Sequence, residues 1–185
     1  MHKREAILDA ALILFAERGF HGTSVAQIAE RANVGAGTIY RYFEDKEVLV
    51  NVLYKYWKRE MATAIIGDLP MGLPARQLFH EIWSRMLRFG RENPGVLVFM
   101  EFHHHAPYLD DESRNLANLL AGQFHGFLEK LRAEQVTREA PPELLFAMLT
   151  GAFTGIEKAA RGGLLAITPE IEAEAEEICW QMIRR

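Results

Sequence analysis

Apolar and polar residues follow a helical period along almost the whole chain. In the first segment, residues 3–18, apolar side chains recur at three- and four-residue intervals and form one stripe: Ile7, Ala11, Leu14 and Phe15. Gly19 follows this stripe and is the kind of residue that ends a helix. No segment shows the sustained two-residue alternation that is typical of a half-buried strand. The pattern therefore predicts an all-α protein.

Turn-forming residues interrupt the period and divide the chain into about nine predicted helices. The helices are expected at about 3–18, 24–32, 36–42, 46–66, 75–92, 94–105, 110–134, 142–162 and 169–185. Ser24 with Gln27 forms a capping box, and Asp45 and Thr168 are placed to cap later helices. The segment GDLPMGLP, residues 67–74, is the clearest break. We expect three short helices, one long connecting helix and then a helical bundle.

The composition is that of an ordinary globular protein. Of 185 residues, 49% are hydrophobic and 25% are charged, which suits a packed core under a solvated surface. The single cysteine, Cys179, excludes an intramolecular disulfide and fits a reducing cytosol. No stretch approaches the roughly 20 apolar residues that a membrane-spanning helix needs. We therefore expect a soluble, cytoplasmic protein without a membrane partner.

The charge balance gives no basic field over the whole molecule. The net charge is −4 and the isoelectric point is about 6.0, so binding to nucleic acid would need a local patch. Residues 1–46 contain six Lys or Arg and six Asp or Glu, which makes this segment neutral. Nonspecific attraction to DNA is therefore expected to be modest.

The sequence lacks the short motifs on which common enzyme classes depend. It has no nucleophile elbow, no His-Glu-x-x-His pair and no phosphate-binding loop. Cys179 lies on the apolar side of a predicted helix, where a buried inert thiol is favoured over a nucleophile. We therefore predict a protein that is not an enzyme and needs no cofactor or metal.

The segment from Ser24 to Phe43 has the pattern of a helix-turn-helix. It reads SVAQIAERANVGAGTIYRYF, two short helices around a turn of small residues. Five apolar residues give the two helices a shared interior: Ile28, Ala29, Ala32, Val34 and Ile39. Hydroxyl groups on the second helix, with Arg41 and Lys46 nearby, suit phosphate oxygens and favour DNA binding. The alternative is a helical hairpin that caps a bundle, with its tyrosines on an ordinary surface.

The same segment carries a resemblance to a known family. Residues 22–49, GTSVAQIAERANVGAGTIYRYFEDKEVL, resemble the DNA-binding signature of the TetR family of bacterial transcriptional regulators, and AALILFAERGF before them matches as well. The resemblance is close over residues 3–50 and general beyond them. It implies a three-helix DNA-binding domain, residues 1–46, joined by a long helix to a ligand-binding and dimerisation bundle, residues 47–185. It also implies a homodimer that represses transcription until a small ligand releases it from DNA.

The resemblance assigns roles to individual residues of the helix-turn-helix. Four would contact the DNA backbone: Ser24, Tyr40, Tyr42 and Lys46. Three would approach base edges in the major groove, with Arg41 beside them: Ala36, Gly37 and Thr38. Some relatives have long polar side chains where this sequence has small ones, so base reading is expected to depend on Thr38, Gln27 and Arg41. The basic start of the chain, residues 2–4, either reaches DNA or forms a solvated end.

Large apolar side chains in the predicted fourth to seventh helices are candidates for a ligand pocket. Together with two polar residues that could anchor a ligand, the set is Trp57, Met61, Trp83, Met86, Leu87, Phe99, Phe102, His103, Tyr108 and Phe124. For any one of these residues, a plain hydrophobic core is the alternative. The lining favours a hydrophobic or aromatic effector, whose identity the sequence does not give.

Three consecutive histidines, residues 103–105, raise the question of a metal site. Consecutive side chains on a helix point about 100° apart, so the three rings cannot all converge on one ion. A pocket lining, a buried polar position and a solvated helix end are the alternatives to metal binding.

The predicted eighth and ninth helices are apolar over more surface than one neighbour can cover. The predicted homodimer interface consists of Leu144, Met148, Gly151, Ala152, Gly155, Ala159, Ile171, Ile178, Trp180 and Met182. The alternative is that both helices are central within the monomer. A dimer would match a pseudo-palindromic operator in double-stranded DNA. A ligand-independent DNA-binding or architectural protein, or an activator, remains the alternative function.

Overall fold

The computed structural model describes residues 3–70, 72–103 and 106–185, and these residues form nine α-helices. The helices are α1 (Lys3–Arg18), α2 (Val25–Arg31), α3 (Ala36–Tyr40), α4 (Lys46–Ile66), α5 (Ala75–Glu92), α6 (Pro94–His103), α7 (Asp111–Ala133), α8 (Pro142–Arg161) and α9 (Pro169–Ile183). The predicted all-α fold is confirmed. The third helix is two residues shorter than predicted, because the backbone turns after Tyr40. None of the described helices is long and apolar enough to cross a bilayer.

Side chains predicted to cap helices do so. Ser24 and Gln27 form the capping box: the Gln27 N–H donates to Ser24 Oγ at 3.2 Å, and the Ser24 N–H donates to Gln27 Oε1 at 2.8 Å. Asp45 Oδ1 accepts from the N–H of Val48 at 2.8 Å at the start of α4. Thr168 caps α9 in the same way, ahead of its first-turn proline. These bonds satisfy N–H groups that a helix start leaves without partners.

A tight turn between α1 and α2 fixes the approach of the chain to the helix-turn-helix. Gly19 ends α1 with φ +67, a conformation that side-chain-bearing residues rarely adopt. A Cβ at Gly22 would lie 2.3 Å from the carbonyl oxygen of Arg18, so only glycine fits there. The hydroxyl of Thr23 lies 3.1 Å from the Leu14 carbonyl oxygen and 2.9 Å from that of Gly19. The turn is therefore bound to the end of α1.

The helices pack into two compact units. The N-terminal unit comprises Met1–Ala64 and Phe89–Ala117, and the C-terminal unit comprises Ile65–Arg88 and Asn118–Arg185. Helix α6 packs against α1 and so belongs to the same unit as the helix-turn-helix. The sequence placed α6 in the ligand-binding bundle, because its nearly continuous apolar character says that it is buried but not which helix buries it.

One hydrophobic core fills the N-terminal unit. It is built from α1, α2, α3, α4 and α6, with Ile7, Phe15, Ile28, Ile39, Leu49, Leu53, Tyr54 and Phe99 among its most deeply buried members. The rings of Phe15 and Phe99 stack at 6.3 Å between centroids, which joins α1 to α6. The core therefore includes the predicted apolar stripe of α1, and the buried residues of the helix-turn-helix pack into the same core.

Candidate functional site

Helix α3 buries one residue and presents most of the others to solvent. Ile39 anchors the helix in the core. The exposed surface consists of Ala36, Gly37 and Tyr40 on the helix, with Thr38 half-buried at its edge, and of Arg41 and Tyr42 in the turn directly after it. The two tyrosine side chains are 56% and 45% exposed, and so their hydroxyls can reach a partner molecule. This face has the shape and chemistry that phosphate and base-edge contacts require.

The capping box limits what Ser24 and Gln27 can do at a DNA surface. Ser24 Oγ accepts a backbone hydrogen bond, which leaves its O–H proton for a phosphate oxygen. Gln27 Oε1 accepts from the Ser24 N–H, which fixes the direction of the side chain and leaves both amide protons to donate. Bidentate reading of adenine needs both the carbonyl and the amide of glutamine, directed at one base. Because the capping box holds its oxygen, Gln27 is suited to donating a single contact.

The ammonium group of Lys46 is held in place by backbone and ring. Its Nζ donates to the carbonyl oxygens of Phe20 and Thr23, at 2.8 Å each. The same nitrogen lies 4.1 Å from the centroid of the Phe20 ring, a cation–π contact. An ammonium group has three protons, so one remains for an outside acceptor. Lys46 is thus a fixed positive charge at the edge of the helix-turn-helix.

Arg4 lies near the end of α3. Its guanidinium carbon is 5.7 Å from the ring centroid of Phe43, a buried residue that follows α3. This contact brings the basic start of α1 to the end of the segment that carries Tyr40 and Tyr42. His2 is outside the described residues, so its predicted role is not tested.

His103 and Tyr108 contact each other, and both pack against α1 and the turn that follows it. The hydroxyl of Tyr108 is 2.6 Å from His103 Nδ1, and the Tyr108 ring stacks on Phe20 with 3.9 Å between centroids. His103 is 0% exposed, and its burial lowers the pKa of the imidazole to about 4. Its other nitrogen, Nε2, has no hydrogen-bond partner among the described residues. His104 and His105, the rest of the histidine run, lie outside the described residues.

The structure divides the ten predicted ligand residues between the two units. Six belong to the N-terminal unit: Trp57, Met61, Phe99, Phe102, His103 and Tyr108. Four belong to the C-terminal unit: Trp83, Met86, Leu87 and Phe124. Phe99 is part of the N-terminal core, whereas Phe102 is 57% exposed. A small hollow of about 40 Å³ lies elsewhere in the C-terminal unit. None of the predicted ligand residues lines it; its lining consists of Leu73, Ala75, Leu78, Phe127, Lys130, Leu131 and Glu134.

An aromatic cluster with an unsatisfied donor lies in the C-terminal unit. Trp83 packs against Phe79, at 6.1 Å between ring centroids, and against Phe153, at 6.3 Å. The Nε1–H of Trp83 is buried and has no acceptor among the described residues. An unsatisfied buried donor is costly, so an acceptor placed against this nitrogen would bind favourably. This is the chemistry expected of a polar anchor in an apolar pocket.

Helix α9 is attached to α5 by a buried carboxylate, which the sequence did not reveal. Glu176 is buried and pairs with Arg76, and its second oxygen lies 2.8 Å from His80 Nδ1. The Arg76 guanidinium also lies 5.8 Å from the ring centroid of Trp180. Trp180 was predicted in the dimer interface, but it packs within the monomer against Phe79, at 5.4 Å between centroids. Its indole therefore belongs to the α5–α9 contact.

The remaining predicted interface residues include an apolar surface on α8 and α9. Leu144, Met148 and Ile178 are exposed, although they are large and apolar. Gly151 and Gly155 are exposed on α8, and a Cβ added at either would meet no atom within 4 Å. The others are half-buried: Ala152, Ala159, Ile171 and Met182. An apolar surface of this kind is where a second copy of the chain could pack.

Two family descriptions together match nearly the whole chain. Residues 7–53 match "Bacterial regulatory proteins, tetR family", and residues 54–185 match "Tetracyclin repressor-like, C-terminal domain". The boundary between the two matches falls within α4.

Several proteins with similar sequences are transcriptional regulators. An uncharacterised HTH-type transcriptional regulator of Haemophilus influenzae is 26% identical over 182 residues, which cover 98% of this chain and 95% of that protein. The fatty acid metabolism regulator protein of Bacillus subtilis is 47% identical over 97 residues, 51% of this chain and 50% of that protein. The structure of the Bacillus subtilis regulator FadR in complex with stearoyl-CoA superposes with a TM-score of 0.74 at 20% identity, over 95% of this chain and 96% of the other.

Proposed function

The chain belongs to the TetR family and is a DNA-binding transcriptional regulator, and we propose that it is a repressor that an apolar effector releases from its operator. In this proposal a homodimer binds a pseudo-palindromic site in double-stranded DNA. One observation carries the proposal: the exposed hydroxyl face of α3 lies in the same unit as the fixed Lys46 ammonium.

Backbone contacts are proposed for Ser24, Tyr40, Tyr42 and Lys46. The two tyrosines are exposed, and the Ser24 hydroxyl keeps a proton to donate. The Lys46 ammonium is already desolvated on one side by Phe20, and it is fixed in direction by two carbonyl oxygens. A phosphate that meets its third proton would gain a charge-assisted bond without ordering a flexible side chain.

Base reading is proposed for the exposed start of α3. Ala36 and Gly37 present almost no side chain, so the helix backbone can approach the floor of the major groove closely. Thr38 and Arg41 then supply the groups that contact base edges, with a single donor from Gln27. Sequence-dependent DNA shape would add to this reading, because so few long polar side chains are present.

The effector is proposed to bind the aromatic cluster of the C-terminal unit. A ligand with an apolar body would pack against the rings of Phe79 and Phe153, and an acceptor atom on it would satisfy the Trp83 Nε1–H. A carbonyl is the simplest acceptor of this kind. Fatty acyl compounds combine both features, and the Bacillus subtilis relative bound to stearoyl-CoA makes that compound the first probe to test.

A homodimer is proposed to form through α8 and α9. The exposed apolar side chains and the two open glycines of α8 would allow close packing of a second chain. Two recognition helices would then meet two half-sites on one face of the DNA. Binding by two linked domains also compensates for the neutral charge of residues 1–46, because the second contact becomes intramolecular.

Fluorescence anisotropy with labelled duplexes tiled across the DNA around its own gene tests the function. We expect one duplex to bind tightly in a salt-sensitive way, and stearoyl-CoA to release it. Thr38→Ala should relax the preference for that duplex, and Lys46→Ala should weaken binding to every duplex. Lys130→Ala, a lysine on α7 distant in sequence from the helix-turn-helix, is the control for a lost positive charge. Equal affinity for all duplexes would contradict the proposal, and binding that no effector changes would favour the ligand-independent alternative.

A further inference from the structure

We propose that Tyr108 is a positioning residue for DNA binding: through the ring of Phe20 it holds the Lys46 ammonium in the place where it meets a phosphate. The inference rests on the proposed function, since it assumes the Lys46 phosphate contact. Tyr108 lies in the connection between α6 and α7, more than 60 positions along the chain from the helix-turn-helix.

The Phe20 ring is enclosed on both faces. The Tyr108 ring stacks on it with 3.9 Å between centroids and 20° between planes, which leaves no room between the two rings. The Lys46 Nζ is 4.1 Å from the same centroid, so it must occupy the opposite face. A ring with both faces in contact cannot turn without displacing one of its neighbours. Phe15 also packs against Phe20, at 6.0 Å between centroids, but Tyr108 is the residue that covers the face opposite Lys46.

Lys46 depends on the same residue in a second way. Its ammonium donates to the Phe20 carbonyl oxygen as well as lying over the Phe20 ring. A shift of Phe20 would therefore disturb the cation–π contact and one of the two hydrogen bonds that fix the charge. The third proton of the ammonium would then lose its direction toward the DNA.

Tyr108 is itself fixed to α4, the helix that begins with Lys46. Its carbonyl oxygen accepts from Asn51 Nδ2 at 2.8 Å. Asn51 Oδ1 accepts from the N–H of Asp110 and the hydroxyl of Ser113, each at 2.8 Å. Its Nδ2 also donates to the Glu47 carbonyl oxygen at 2.9 Å, so the buried amide is fully used. Tyr108 and Lys46 cover the two faces of the Phe20 ring, and both are attached to α4: Lys46 is its first residue, and Tyr108 is bonded to Asn51.

These contacts give the connection between α6 and α7 influence over the DNA-binding charge. Helix α7 begins in the N-terminal unit at Asp111 and continues into the C-terminal unit from Asn118. Movement of the start of α7 would pull on Tyr108 through the Asn51 bonds, and so on Phe20 and Lys46. An effector can use this route only if it binds the two arrangements with different affinity.

A double-mutant cycle on operator binding tests the inference. The variants are Tyr108→Leu, Lys46→Met and the double variant, each measured over a range of salt concentrations. We expect Lys46→Met to lower the slope of log K against log salt by about one per protomer, as one lost phosphate contact requires. Tyr108→Leu should weaken binding on the order of tenfold, about 1.4 kcal/mol, and should lower the slope in the same direction. In the Lys46→Met background, Tyr108→Leu should change affinity less than twofold.

Three further variants separate positioning from folding. Tyr108→Phe keeps the stacking ring, so its operator affinity should stay within about twofold of that of the parent protein. Phe20→Met keeps an apolar side chain but removes the ring face, and it should reproduce the non-additive loss if Tyr108→Leu does not fold. Tyr56→Leu removes an exposed tyrosine of α4 that is not one of the residues stacked on Phe20, and it should leave operator binding unchanged.

The outcomes are distinct. Losses from Tyr108→Leu and Phe20→Met that persist in the Lys46→Met background would overturn the positioning role while leaving the proposed function intact. Unchanged operator binding in Lys46→Met would instead show that Lys46 does not contact a phosphate. That result would contradict both the role of Lys46 in the proposed function and this inference.

Discussion

The hydroxyl of Tyr108 and Nδ1 of His103 lie 2.6 Å apart, and the His103 imidazole is completely buried. Phe15 and Phe99 lie against the same ring, at 5.6 Å and 4.4 Å between centroids. An imidazole in such surroundings is stable only in its neutral form. The contact between α6 and the N-terminal helices therefore depends on an uncharged histidine.

Stability should fall as the solution becomes more acidic, because the buried His103 resists protonation. Burial lowers its pKa from 6.5 to about 4, so between these values the unfolded chain binds a proton that the folded chain does not. Stability from this group is complete above pH 6.5 and decreases as the pH falls toward 4, by about 3 kcal/mol at most. Thermal unfolding followed from pH 7.5 to 4.5 measures the effect.

His103→Gln isolates this contribution, since glutamine keeps an acceptor for Tyr108 but cannot be protonated in this range. The variant should be less stable at pH 7.5, with a flatter pH dependence than the parent. His125→Gln, a half-buried histidine of α7, is the matched control and should keep the parent slope. An unchanged slope in His103→Gln would show that other groups cause the acid sensitivity.

Gly37→Ala should stabilise the free protein and weaken its complex with DNA. A Cβ at Gly37 meets no atom within 4 Å, so it causes no strain, and alanine favours a helix over glycine by up to about 1 kcal/mol. The added methyl group would project from the face proposed to approach the bases. Operator affinity should fall several-fold while the melting temperature rises or stays unchanged.

Gly122→Ala supplies the comparison. This glycine is exposed in α7, and a Cβ there also meets no atom within 4 Å. The substitution should give a similar gain in helix stability without any change in operator affinity. Equal affinities for parent and Gly37→Ala would place the start of α3 away from the DNA.

Local features of the sequence predicted local structure well. The capping box of Ser24 and Gln27, the cap at Asp45 and the end of α1 at Gly19 each depend on residues within a few positions of one another. Such short-range chemistry is readable without a structure. The two helices of the helix-turn-helix and their caps could therefore be predicted from neighbouring residues alone.

Contacts between distant residues could not be predicted in this way. Asn51 binds groups 57 to 62 positions away, and Glu176 binds Arg76 across 100 positions. A polar residue in a helical stripe carries no sign of which partner it will meet. The aromatic residues illustrate the same limit. Periodicity predicted that Trp180 and Phe99 pack against other apolar side chains, but it did not predict that their partners, Phe79 and Phe15, belong to the same chain.

Trp83→Phe should blunt the response to the effector without destabilising the protein. The indole Nε1–H is buried without an acceptor among the described residues, and burying such a donor costs roughly 1–3 kcal/mol of stability. Phenylalanine avoids this cost, which offsets the packing that is lost with the smaller ring. Calorimetric affinity for stearoyl-CoA should fall about tenfold, and operator affinity without the ligand should stay unchanged. Trp180→Phe, whose indole packs in the α5–α9 contact, should retain the parent affinity for stearoyl-CoA. Identical ligand binding by Trp83→Phe and the parent would place the effector elsewhere.

Gly155→Glu should separate the two protomers while each chain remains folded. An added side chain meets no atom within 4 Å inside the chain, and glutamate forms helix better than glycine, so the monomer itself gains stability. Packed against a second copy, the same carboxylate would be buried without a partner, which is strongly unfavourable. Light scattering at micromolar concentration should show a monomer with parent-like helix content, and operator affinity should fall by at least a hundredfold because two half-sites are no longer held together. Gly122→Glu makes the same chemical change on α7 and should leave a dimer with full affinity. A dimeric Gly155→Glu variant would show that the chains associate through a different surface.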